Sequence, residues 1–184
     1  NLTFSYNWNL PKASRGWNNL FARKVLDDWQ LSGITSFVSG SPLGIGFSTS
    51  DGADIGGGGD GVRAVMLANP VLPKSERTFT RFFNTAAFGR PAVGTYGNAP
   101  KDVLRGPGIN NWDLSLFKNF PLGKEARTLQ LRWELYNVWN HTQFSSVDTS
   151  ARLTPDGQQA NTRFGTLTAA RSPRQMQLAL RIVF

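Results

Sequence analysis

The sequence predicts an all-β chain of antiparallel, up-and-down strands, and three observations carry that prediction. Five segments of 9 to 13 residues alternate large apolar with small or polar side chains, the period-2 signature of a strand. The chain also holds 19 Gly and 10 Pro, too many turn residues for a helical bundle. Its 40% apolar content, with 13 Phe and 6 Trp, is too high for a disordered chain. Periodicity alone leaves two architectures open: a soluble β-sandwich, or a barrel whose wall touches lipid.

Leu2, Phe4, Tyr6 and Trp8 alternate with Thr3, Ser5, Asn7 and Asn9, so residues 2–10 read as a strand that Pro11 ends. Residues 12–28 are polar and basic, with Leu20 to Leu26 suited to a short helical turn. A second strand, 29–40, carries Trp29, Leu31, Gly33, Thr35 and Phe37 on one face. The pattern then dissolves from Gly40 to about Ile109. The run Gly56 to Gly59 and Pro70, Pro73, Pro91, Pro100 and Pro107 punctuate a long loop, 41–108. Gly40 to about Arg105 is expected to be the least regular and most mobile part, facing the cell exterior. A structureless loop of that length counts against a compact soluble domain, but it is ordinary on one rim of a membrane barrel.

Regularity returns over 109–120, where Trp112, Leu114 and Leu116 oppose Asp113 and Ser115. A tight turn at Pro121–Lys124 leads into 127–139, with Leu129, Leu131, Trp133 and Leu135 alternating against Gln130, Arg132, Glu134 and Tyr136. The pair reads as the clearest hairpin in the chain. Residues 140–173 form a second long loop with a short strand near Phe164 to Ala169. The last strand, 174–184, carries Met176, Leu178, Leu180, Ile182 and Phe184 on one face.

The connections alternate in length, with 11–28 and 121–126 short and 41–108 and 140–173 long. In an up-and-down barrel that alternation places the short ones on the periplasmic rim and the long ones outside. Each strand matches the roughly 9–11 residues that cross lipid at a tilt. Five strands cannot close a barrel, and lipid does not tolerate an open edge, so a larger wall is expected. Asn1 is accordingly expected to be a cut rather than a start. Leu114, Leu116, Leu129, Leu131, Trp133, Leu178, Leu180 and Ile182 are expected to face lipid, and Asp113, Arg132, Glu134 and Arg181 the lumen.

Composition excludes several classes. No apolar run approaches the roughly 20 residues of a spanning helix. The absence of cysteine removes disulfides, thiolate chemistry and Cys-based metal sites. The net charge of +8 comes from scattered Lys and Arg, with only Arg171, Arg174 and Arg181 close together. A nucleic-acid surface needs bases clustered on one element, so no nucleic-acid partner is expected.

Several words in the sequence tip the balance between sandwich and barrel. They are residues 29–34 with Ser39-Gly40-Ser41-Pro42-Leu43, then Phe82-Phe83-Asn84-Thr85-Ala86-Ala87-Phe88, and then 94–99. Leu104-Arg105-Gly106-Pro107-Gly108, residues 112–120, residues 134–144, Phe164-Gly165 and residues 173–184 complete the set in collinear order. Together they resemble the C-terminal barrel segment of TonB-dependent outer-membrane receptors. The closest likeness is to the Oar-like group, which carries a carboxypeptidase-regulatory-like domain. The resemblance implies a partial segment of a large transmembrane β-barrel with long extracellular loops, in the bacterial outer membrane. It implies the wall and surface loops of a transporter that takes up a ligand.

No plug, energy-coupling box or regulatory-like domain accompanies these words, so the segment alone is not expected to transport. Implied partners are outer-membrane lipid, the remaining strands and plug of the parent chain, the barrel-insertion machinery, and an energy-coupling protein reached through the missing part. Phe184, with Ile182 and Leu180 before it on the same face, is implied to be the assembly signal that the insertion machinery reads. The alternative is a soluble β-sandwich adhesion or carbohydrate-binding module.

Sites with chemistry are few, and no enzyme and no cofactor are expected. His141 is the only histidine and lacks partners for a metal cluster or catalytic dyad, so it reads as a loop residue. Asp51, Asp54 and Asp60 flank Gly56 to Gly59, which hints at an ion-binding loop at 51–60, but neither EF-hand nor P-loop spacing follows. Arg132, Glu134 and Asp113 read as salt-linked lumen residues rather than an acid/base pair. Trp8, Trp29, Trp112, Trp133 and Trp139 sit in or beside strands and are expected to form interfacial girdles at headgroup level. As a lectin's sugar-stacking platform they would serve the alternative reading.

Overall fold

The computed structural model describes residues 1–16, 19–58, 61–123 and 127–184. Lys124 of the expected turn, and Gly59 and Asp60 of the glycine run, lie outside the described residues. In chain order, β1 (Leu2–Asn9) leads through a 3-10 turn (Ala13–Gly16) and helix α1 (Leu20–Leu26) to β2 (Trp29–Val38). Short strands β3 (Pro42–Leu43), β4 (Gly46–Thr49), β5 (Val65–Met66), β6 (Phe88–Gly89) and β7 (Leu104–Arg105) come next. Then follow β8 (Ile109–Pro121), β9 (Thr128–Tyr136), β10 (Phe144–Val147), β11 (Ser150–Leu153), β12 (Leu167–Ala170) and β13 (Gln175–Val183).

Two compact units result. The first, Asn1–Val38 with Ile109–Thr142 and Ser172–Phe184, is a five-stranded sheet in the order β1-β2-β8-β9-β13. Every pairing in it is antiparallel. The expected hairpin forms, with Leu116 opposite Trp133, Pro121 opposite Thr128, and Leu122 N–H donating to Arg127 C=O at 2.9 Å. Tyr6 lies directly opposite Gly33, and a Cβ on Gly33 would stand 2.5 Å from the tyrosine ring. The glycine therefore leaves room for an aromatic ring to cover its strand.

The fourth strand ends earlier than expected. Asn137 and Asn140 both take φ of 51°, a left-handed turn that asparagine tolerates, so β9 stops at Tyr136 and residues 137–139 leave the ladder. The Asp113 carboxylate accepts the Asn137 N–H at 2.9 Å, and Val138 N–H donates to Trp112 C=O at 2.9 Å. The Asn140 side chain accepts from Arg174 N–H at 2.9 Å, pinning the approach to β13. The expected helical turn is present as α1, with the Asn19 side chain capping Phe21 N–H at 2.9 Å.

The second unit, Ser39–Gly108 with Gln143–Arg171, corrects the expectation of a structureless loop. It has its own core of Ile45, Ala64, Phe83, Ala87, Phe88, Ala99, Leu104, Val147, Ala151, Phe164 and Leu167. Phe83 is 1% exposed, and its ring meets Phe88 and Phe164 edge-on at 6.0 and 5.1 Å. Each such ring contributes about 1.5–3 kcal/mol by burial, and edge-to-face pairs add roughly 0.5–1.5. Irregular backbone is affordable here because loops bond one another, as in Ala99 N–H to Ala64 C=O at 3.0 Å and Leu167 N–H to Phe79 C=O at 2.9 Å.

Gly40 allows the two ends of the long loop to meet. A Cβ there would stand 1.8 Å from Gly106 C=O, beside the β3–β7 pairing of Pro42 with Arg105. β4 and β11 pair in parallel, unlike the sheet of the first unit. They belong to different connections, and no hairpin turn forces them antiparallel.

Candidate functional site

The site with the most chemical definition is the five-stranded sheet, whose register sorts side chains onto two faces. Directly opposed residues share a face, so each row across the strands can be read off the pairing. One row runs Trp8, Leu31, Leu116, Trp133, Leu178; another runs Tyr6, Gly33, Leu114, Leu135, Met176. Leu131 and Leu180 pair on the same face, as do Phe120, Leu129 and Ile182. All eight residues expected to meet lipid are therefore brought together on one face.

The opposite face is polar. Its rows include Asn7, Ser32, Ser115, Glu134 and Gln177, and further on Asn119, Gln130 and Arg181. Arg132 bonds Glu134 at 2.7 Å and stacks on Phe117, its guanidinium carbon 5.1 Å from the ring centroid. Gln30 donates to Asn7 at 2.7 Å, and Gln130 to Asn119 at 3.0 Å. Asp113 shares this face, its carboxylate accepting from the Asn111 side chain and the Asn137 N–H. Asp113, Arg132, Glu134 and Arg181 thus lie together on the face a water-filled lumen requires.

Lys118 breaks the pattern, standing on the apolar face opposite Trp29 and Leu131. Its ammonium donates to Asp27 C=O and lies 5.8 and 5.1 Å from the ring centroids of Trp29 and Phe120. A long stem running over apolar surface to a rim carbonyl is snorkelling, and the aromatic faces add cation–π attraction.

The tryptophans divide. Trp8 is near the end of β1 and Trp29 begins β2, whereas Trp133 stands well inside β9. Trp139 lies beyond β9 in the asparagine turn and packs against Trp112, centroids 6.2 Å apart. Phe37 also meets Trp112 edge-on, centroids 6.1 Å apart. Phe184 follows β13 and is 94% exposed, with Ile182 and Leu180 exposed on the same face. Leu180 is 68% exposed on this face.

The described carboxylates of the acidic loop are held by protein donors. Asp51 makes a bidentate pair with Arg90 at 3.0 and 3.1 Å, which holds its carboxyl below the usual carboxylate range. Asp54 accepts the N–H groups of Gly56 and Gly57. Among the described residues no three ligating side chains cluster. His141 contributes its backbone carbonyl to the Asn137 side chain at 3.3 Å, the loop role expected of it. The sequence reading missed the Asp51–Arg90 pair, because 39 residues separate the partners and neither carries a local signal.

A family model described as an outer membrane beta barrel domain matches residues 1–177. No curated protein and no solved structure matches the chain.

Proposed function

The chain belongs to the outer-membrane β-barrel domain family, forms barrel wall and resides in the bacterial outer membrane; from that premise we propose that it is part of a TonB-dependent receptor of the Oar-like group. In this reading the sheet is wall and the second unit is the outward surface that helps to capture a ligand for uptake. The observation that carries it is the packed second unit. Several of the words resembling those receptors fall there, and Phe83, Ala87, Phe88, Ala99, Leu104 and Phe164 among them form one core. A loop with its own core presents a fixed surface, which recognition favours over a loop that must be ordered on binding.

No catalytic role is proposed. Asp27 is bonded to Ser14, Asp51 to Arg90, Asp113 to Asn137 and Glu134 to Arg132, so these carboxylates hold structure. The partners of this reading are lipid on the apolar face, further strands beside β1 and β13, a plug, and an energy-coupling protein. The insertion machinery would read β13, which among the described residues pairs with β9 alone and offers Leu180, Ile182 and Phe184 along one side. Strand addition of this kind uses an edge ladder for affinity and alternate side chains for specificity.

The test is in-cell cross-linking of the full-length chain, followed by purification from the outer membrane. Recovery of an energy-coupling protein is expected. A folded barrel recovered with no such partner under ligand-replete and ligand-starved growth would leave a plain barrel and remove the receptor reading.

A further inference from the structure

Helix α1 lies in the connection between β1 and β2. Its Asn19 cap and Leu20–Leu26 span are short, and within it Ala22 and Leu26 turn inward while Leu20, Phe21 and Val25 point away, 70%, 74% and 40% exposed. Single exposed apolar residues are ordinary, but three on seven residues form a patch. Two side chains of the apolar face fix where this helix emerges. Trp29 Nε1 donates to Val25 C=O at 2.9 Å, and Lys118 Nζ donates to Asp27 C=O. Asn119 N–H adds a bond to Asp28 C=O at 3.4 Å. Both Trp29 and Lys118 belong to the face that meets lipid, so the end of the helix is tied to the lipid side of the rim.

Charge points the same way. The connection carries Lys12, Arg15, Arg23 and Lys24 against Asp27 and Asp28. The Asp27 carboxylate is taken up by Ser14, accepting its hydroxyl at 2.6 Å and its N–H at 3.0 Å, and these bonds lower its pKa. Apolar residues flanked by cations, on a helix beside a lipid-facing tryptophan, are the composition of an element lying in the membrane plane. Lys24 is on the helix itself and suits lipid phosphate.

We propose that α1 is an in-plane anchor, with Leu20, Phe21 and Val25 seated at the headgroup–acyl boundary of the leaflet at this rim. It rests on the wall reading and extends the lipid contact beyond the strands. It makes Trp29 and Lys118 the fasteners of an anchor as well as rim residues.

These 184 residues include no cysteine, so a nitroxide label within them needs one introduced thiol, any cysteine elsewhere in the full-length chain being changed to serine. The full chain is reconstituted in vesicles of phosphatidylethanolamine and phosphatidylglycerol, labelled at Phe21→Cys, with Leu180→Cys and Val93→Cys as lipid and water references. Collision with oxygen relative to a water-soluble nickel chelate is measured at each. The ratio at Phe21 is expected to approach that at Leu180 and to exceed that at Val93 several-fold. A ratio like that of Val93, or shielding from both reagents by a protein partner, would overturn the anchor. If Leu180 itself reads as water-exposed, the wall reading fails and the anchor falls with it. Val25→Cys supplies the same readout should Phe21→Cys not fold.

Discussion

In the sheet, Leu180 turns 68% of its surface outward, whereas Phe83 in the second unit keeps 1%. Both are large apolar residues in a chain with one composition, yet their surroundings are opposite. The sheet satisfies its backbone through ladders with neighbouring strands, so its side chains need not pack on one another and can meet a solvent that is itself apolar. The second unit satisfies its backbone through short ladders and scattered loop-to-loop bonds and must draw Phe83, Phe88 and Phe164 inward to exclude water. The difference teaches that period-2 alternation reports the medium on each side of a sheet. A core without period reports only that water is excluded.

Breaking the second unit should leave the first standing. Phe83→Ala removes the most buried ring of its aromatic trio and should cost that unit about 3–5 kcal/mol. Hydrogen exchange across residues 39–108 and 143–171 should accelerate, with the ladders of β8, β9 and β13 still protected. Equal loss in both units would erase the contrast.

The sheet has its own asymmetric test. Leu180→Arg should cost about 2–4 kcal/mol in a bilayer if it lies near mid-membrane, while Gln177→Arg on the polar face should cost far less. Denaturant titration in vesicles would show the gap, and equal tolerance on the two faces would dissolve the assignment. A smaller effect, about 1–3 kcal/mol, is expected for Gly40→Ala, whose Cβ must push the Gly106 carbonyl away. It should loosen the second unit near β3 and β7 in exchange experiments and leave β1 unchanged.

Acid should act most weakly. Arg90 holds the Asp51 carboxyl below its ordinary value, so the folded second unit binds a proton there less readily than the unfolded chain. The resulting stability is present above the unfolded pKa of about 3.9 and is lost as pH falls through the lower folded value. Protease resistance of the second unit should decline in that window, and Asp51→Asn should remove the dependence. An unchanged acid profile in Asp51→Asn would show that the pair contributes nothing measurable, as exposed pairs often do.

Alternation made all five strands and their two faces readable before any coordinates, because side chains on a strand repeat every two residues and carry that record locally. The same local chemistry marked α1, whereas Pro121, expected to open the turn, ends β8 opposite Thr128. Other features had no local record. Nothing near Phe83 names Phe164 as its partner, nothing near Asp51 names Arg90, and two unconnected segments chose a parallel β4–β11 pairing. Lys118 looks like a misplaced charge in its strand until Asp27 C=O and two aromatic rings are found beside it. The end of β9 likewise depends on Asp113, 24 residues away, receiving the Asn137 N–H. By itself the sequence determined which segments are strands and which side of each is apolar, since those follow from neighbours one and two residues apart. Only the tertiary structure decided that the long connections hold a core, because that core depends on side chains whose order along the chain has no period and which meet only once the chain has closed.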